Sequence, residues 1–93
     1  MTLEEIIQDI HGLEVELAAL ENQYGLLSAD FYHLYQAGEL EQSRDFLRWL
    51  GYFEAKLERE RQYRGLMYQH LRDLRRQAGL GALQLEPVAN GKA

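Results

Sequence analysis

Apolar residues recur at Leu3, Ile6, Ile10, Leu13, Leu17, Leu20 and Tyr24, with spacings that alternate between three and four. That is the a and d pattern of a helix burying one narrow seam against another helix. Such a helix draws its stability from whatever covers the seam, not from propensity alone. Thr2 and Glu5 fit a capping box ahead of it, and Glu4 and Glu5 suit the positive end of its dipole. The pattern predicts a first helix over about 3–24, closed by Gly25. Gly12 interrupts it, either as a tolerated glycine costing about 1 kcal/mol against alanine or as a point of close helix approach.

A second, short helix follows. Ser28 is a suitable N-cap, with Leu27 and Tyr32 placed for a hydrophobic staple around it. Phe31, Leu34 and Tyr35 share one face, and Gly38 closes the helix. A third helix begins near Ser43, with Asp45 in its first turn, and runs to about residues 77–78, with Gly79 as cap. Its seam reads Phe46, Leu50, Phe53 and Leu57. Continued in the same register, it meets Glu60 and Arg64 and recovers at Met67, Leu71 and Leu74. The five polar residues 58–62 read as a solvated stretch, with Glu58–Gln62 and Glu60–Arg64 at i,i+4, or as a polar layer that fixes register.

At 1.5 Å per residue the third helix spans about 50 Å and the first about 33 Å. Folded back antiparallel, the first reaches only to about residue 67, and the last turns of the third overhang. The expected architecture is therefore all-α: an antiparallel hairpin of two long helices with a short helix at the bend. It is coiled-coil-like and is completed by oligomerisation, because so small a hairpin has too little core alone. Residues 1–79 form this domain, and 80–93 form a flexible C-terminal tail. Within the tail, Leu83 and Leu85 alternate with Gln84 and could add as an extended strand to a partner's sheet edge.

Eight of the ten aromatic residues lie between Tyr24 and Phe53, which puts the expected core at the bend. Its candidate residues are Tyr24, Phe31, Tyr35, Phe46, Trp49 and Phe53, with Gly25 and Gly38 as turn glycines.

Composition changes this picture in one respect. The net charge of −5 conceals a split: residues 1–43 hold nine acidic residues and no Lys or Arg, and residues 44–93 hold all ten basic residues and six acidic ones. The flanks of the first seam carry Asp9, Glu14, Glu16 and Glu21, which disfavour parallel self-pairing and favour a basic partner helix. The split favours pairing of the two halves or of two chains. Arg61, Arg64, Arg72, Arg75 and Arg76 lie roughly along one side of the third helix with Tyr68 among them. With Leu83 and Leu85 they are the candidate partner-binding residues. The overall acidity argues against nucleic acid as the main partner.

Other chemistry is sparse. His11, His33 and His70 fall on three different helices, and Asp30 with His33 supplies only half of a carboxylate-bridged metal pattern. There is no cysteine, no phosphate-binding glycine loop and no spaced nucleophile–histidine pair. The sequence thus reads as a protein that is not an enzyme, with no cofactor. The absence of cysteine and of any long apolar run or leader pattern fits a cytoplasmic location without membrane attachment.

The stretch Tyr24-Gly25, Ser28, Phe31-Tyr32, Tyr35, Gly38-Glu39-Leu40 and Asp45-Phe46 with Trp49 resembles small helical antitoxin-like proteins of type II toxin–antitoxin pairs. The resemblance covers the middle of the chain. It implies a protein that neutralises a cognate toxin by direct binding, with a nuclease-like target. A self-assembling coiled-coil scaffold without a toxin partner is the alternative reading. Under either, the protein partners itself as a dimer or higher oligomer.

Overall fold

The computed structural model describes residues 1–87, which form three helices and no strand: α1 (Leu3–Tyr24), α2 (Ser28–Gln36) and α3 (Arg44–Ala78). The end of the tail, 88–93, lies outside the described residues. Local sequence chemistry sets most boundaries. Thr2 and Glu5 form the reciprocal capping box, with hydrogen bonds of 2.9 and 3.1 Å. Gly25 ends α1 in the left-handed conformation (φ 66°, ψ 36°), and its N–H and that of Leu26 both reach the Glu21 carbonyl. At the end of α2, Gly38 (φ 74°) and Glu39 return their N–H groups to the carbonyls of Tyr35 and Leu34, the paired bonds of a Schellman turn. Ser43 caps α3 by accepting from the Phe46 N–H at 3.0 Å.

The start of α2 corrects the sequence reading. Leu27, not Ser28, is the N-cap residue, and it offers no side-chain bond. Ser28 is the first helical residue and is buried. Its N–H is satisfied from outside α2, by the Glu21 carboxylate at 2.9 Å. The staple moves with the cap. Leu27 is 65% exposed, and it is Leu26 that packs against the cluster containing Phe31.

α1 and α3 pack against each other, and their partners advance along α3 as they retreat along α1. Tyr24 bonds Asp45, Glu14 pairs with Lys56, and Asp9 pairs with Arg59. The longest dimension, 54 Å, matches the length of α3 at about 1.5 Å per residue. Of the α1 seam, Ile6, Leu17 and Leu20 are buried and Leu3, Ile10 and Leu13 are half-buried. Gly12 has open space around it, so no close helix approach accounts for it in this chain.

The inward face of α3 departs from the strict seven-residue register. Trp49, Tyr63, Met67 and Leu74 are buried or half-buried, and Arg64 and Leu71 are exposed. The covered face is centred on Trp49, not on the Phe46–Leu50 line: Tyr63, Met67 and Leu74 follow Trp49 by nearly whole helical turns of about 3.6 residues, and Arg64 and Leu71 fall to one side. The polar stretch 58–62 is neither fully solvated nor fully buried. Arg59 bonds Asp9 at 2.8 Å and Lys56 approaches Glu14 at 3.7 Å, so charges cross between α1 and α3 here. Glu58 and Gln62 pair at 3.4 Å as expected from spacing, but Glu60 lies 3.9 Å from Lys56, not beside Arg64.

Candidate functional site

The aromatic core and the arginine-bearing end of α3 lie at opposite ends of the molecule. At the bend, Leu17 and Leu20 of α1, Phe31 of α2 and Trp49 of α3 form the buried cluster. The Phe31 and Trp49 rings stack with centroids 4.0 Å apart and planes 3° from parallel. The indole N–H of Trp49 donates to the Ser28 Oγ at 2.8 Å, which satisfies a buried donor that would otherwise be orphaned. Tyr35, Phe46 and Phe53 pack half-buried around this cluster. Tyr24 stands over it as a cover. Its ring lies 5.4 Å from Phe46 and 5.7 Å from Trp49, yet the residue remains 42% exposed. Its hydroxyl donates to Asp45 at 2.5 Å. That bond first, then partial burial and the carboxylate charge, raise the phenol above its ordinary value. Partial burial and then the Glu54 charge raise Tyr32 likewise.

The capping pattern marks Ser28 as an N-cap, whereas the structure makes it a core residue. The available signal was the tryptophan itself, since a buried indole requires an acceptor. Every buried side-chain polar atom among the described residues has a partner. Also among them, no group of three or more His, Asp and Glu side chains comes together. The Asp30–His33 pair stays isolated from a second such pair.

At the other end, the first turns of α1, the last turns of α3 and the tail surround an open cleft of about 790 Å³. Leu3, Ile7, Met67, Leu74 and Leu85 supply its apolar lining. The tail has no regular secondary structure over 82–87 and pairs with no strand among the described residues. It turns at Gly81, whose N–H returns to the Ala78 carbonyl at 2.9 Å and whose own carbonyl accepts from Arg75. Leu83 is half-buried beside Tyr68, Leu71, Arg72 and Arg75, around a groove of about 490 Å³.

The candidate binding residues therefore separate into groups. Tyr68, Arg72, Arg75 and Leu83 meet around one groove, and Leu85 faces the cleft against Leu3. Arg64 borders a neighbouring hollow with Ile7, Ile10 and Tyr63. Arg61 is taken up by Glu58, and Arg76 approaches Asp73 at 3.5 Å. Comparison with protein families, curated proteins and solved structures finds no match to the chain. No helix among the described residues is long and apolar enough to cross a membrane.

Proposed function

We propose that this chain is a non-catalytic protein-binding module: an antiparallel, coiled-coil-like helical hairpin whose open end is completed by another polypeptide. One observation carries the reading. At the open end, apolar side chains of α1, α3 and the tail line a cleft and a groove that nothing among the described residues fills, and Arg72 and Arg75, neither in an ion pair among those residues, border the groove. An apolar surface rimmed by charge is the composition of a protein interface. In the antitoxin-like form of this reading, supported by the bend residues Tyr24 to Trp49, the protein neutralises a cognate toxin by direct contact that occludes the toxin's active surface. Co-expression with the product of the neighbouring gene tests this. Co-purification together with rescue of growth is the expected result; no complex and no rescue would overturn it.

Self-assembly is the second reading. Leu27, Leu47 and Val15 are each more than half exposed, away from the open end, and a second copy would cover such positions. Light scattering on the purified protein is expected to show a dimer or tetramer under this reading, and a compact monomer would end it.

A further inference from the structure

Arg64, Tyr68, Leu71 and Arg75 follow one another at spacings of four, three and four along α3. That is again the period of a helix seam, but Tyr68, Leu71 and Arg75 lie off the side that faces α1, and only Arg64, at the start of the strip, borders a hollow shared with Ile7 and Ile10 of α1. The positions that face α1 are Tyr63, Met67 and Leu74, one step around the helix and half-buried. Tyr68 is 67% exposed and Leu71 37% exposed. Arg72 flanks the strip, and Leu83 of the tail forms its far wall. The α3 surface thus carries a second seam, apolar in its middle and cationic at both ends.

The state of the arginines indicates what belongs there. Lys56 and Arg59, which face α1, are neutralised by Glu14 and Asp9. Arg64 and Arg72 have no ion pair among the described residues, and Arg75 gives a hydrogen bond only to the neutral Gly81 carbonyl. The basic residues between α1 and α3 are therefore matched, and those on the second seam are not. Pairing this strip with itself in a second copy would set arginine against arginine in either orientation. Nucleic acid would meet a chain of net charge −5 and a strip whose centre is Tyr68, Leu71 and Leu83. We infer that the strip receives an acidic amphipathic helix of a partner protein, with an apolar stripe on Tyr68, Leu71 and Leu83 and flanking carboxylates on Arg64, Arg72 and Arg75.

The inference rests on the binding-module reading and names the chemistry of the partner. Its test is a fluorescence-anisotropy titration of the full-length protein with a labelled three-heptad peptide carrying leucines at a and d and glutamates at e and g. Saturable binding that weakens with added salt is expected. The Arg64→Glu/Arg72→Glu/Arg75→Glu variant should bind about tenfold or more weakly, while Arg48→Glu at the bend binds as the unsubstituted protein does. Circular dichroism melting confirms that the variant is folded, and Arg72→Gln alone serves where the triple variant is not, with weaker binding again expected. Four results would overturn the inference: no binding of the acidic peptide, equal binding of the same peptide with lysines at e and g, unchanged affinity in the charge-reversed variants, or tighter binding of a single-stranded oligonucleotide. The binding-module reading is judged separately, by co-purification of a co-expressed partner. A complex that survives charge reversal removes only the strip, whereas absence of any complex removes the reading beneath it.

Discussion

At the bend, Leu17, Leu20, Phe31 and Trp49 form one cluster, and all four are buried. At the open end, Ile6 is the one fully buried apolar residue among those described, and Leu3, Met67 and Leu74 stay half-covered beside a cleft. The same α1 seam runs through both regions, so the difference does not come from α1. It comes from what closes the third side. At the bend a short helix brings Phe31 and Tyr35 down onto the pair. At the open end the described residues offer only the irregular tail, and Leu83 and Leu85 cover little. Between the two, Asp9–Arg59 and Glu14–Lys56 mark a polar crossing. A two-helix seam leaves part of its apolar surface uncovered; a third element decides whether it becomes a core.

Substitutions rank the two regions. Trp49→Ala or Phe31→Ala should cost about 3–5 kcal/mol in urea denaturation, because both side chains are fully buried. Leu71→Ala should cost under about 1 kcal/mol, since that side chain is substantially exposed. Equal losses would break the contrast.

Ser28→Ala comes next. It leaves the buried Trp49 N–H without its acceptor and should cost about 1–3 kcal/mol. If denaturation shows Ser28→Ala to be neutral, the indole has another partner.

Gly12→Ala and Gly65→Ala should each stabilise by about 0.5–1 kcal/mol, because both glycines are mid-helix with open space at the added methyl. Destabilisation of the intact protein at either site would reveal a neighbouring chain packed close there.

The coupling between Asp9 and Arg59 in a double-mutant cycle should stay below about 1 kcal/mol, as both side chains are about a third or more exposed.

The smallest effect concerns pH. The Tyr24 phenol is raised in the folded state, so its contribution is complete below the unfolded phenol value of about 10 and is lost as pH climbs through the higher folded value. Tyr24→Phe should flatten that part of the alkaline decline in the denaturation midpoint. An identical alkaline profile in the variant would remove the Asp45 bond as its cause.

Much of this arrangement is legible along the chain. The leucine seam, the Thr2–Glu5 box and the turn glycines act within a few residues of themselves, and local chemistry decides them. The aromatic concentration between Tyr24 and Phe53 likewise marks where the cluster forms. The role of Ser28 is not legible locally, because a serine before an aromatic helix satisfies the capping pattern equally well, and only the position of Trp49, 21 residues away, assigns its hydroxyl elsewhere. Arg64 and Leu71 continue the heptad count from Phe46 and Leu50, but the side that meets α1 is centred on Trp49, which that count leaves out. Glu60 has basic residues four positions away on both sides, Lys56 and Arg64, and spacing alone does not choose between them. What the neighbouring sequence could not contain was the contrast between matched and unmatched arginines, since that depends on the opposing helix.

Glu21 links the end of one helix to the beginning of the next. Its carbonyl holds Gly25 and Leu26 while its carboxylate holds Ser28, and Ser28 in turn anchors the Trp49 indole. These links span short stretches of sequence, so the loops that must close are small and their entropic cost is low. Assembly should therefore begin at the bend and zip toward the free ends. Kinetic φ-values at Leu20 and Trp49 should exceed those at Ile6, and the reverse order would show that the chain starts closing from its termini.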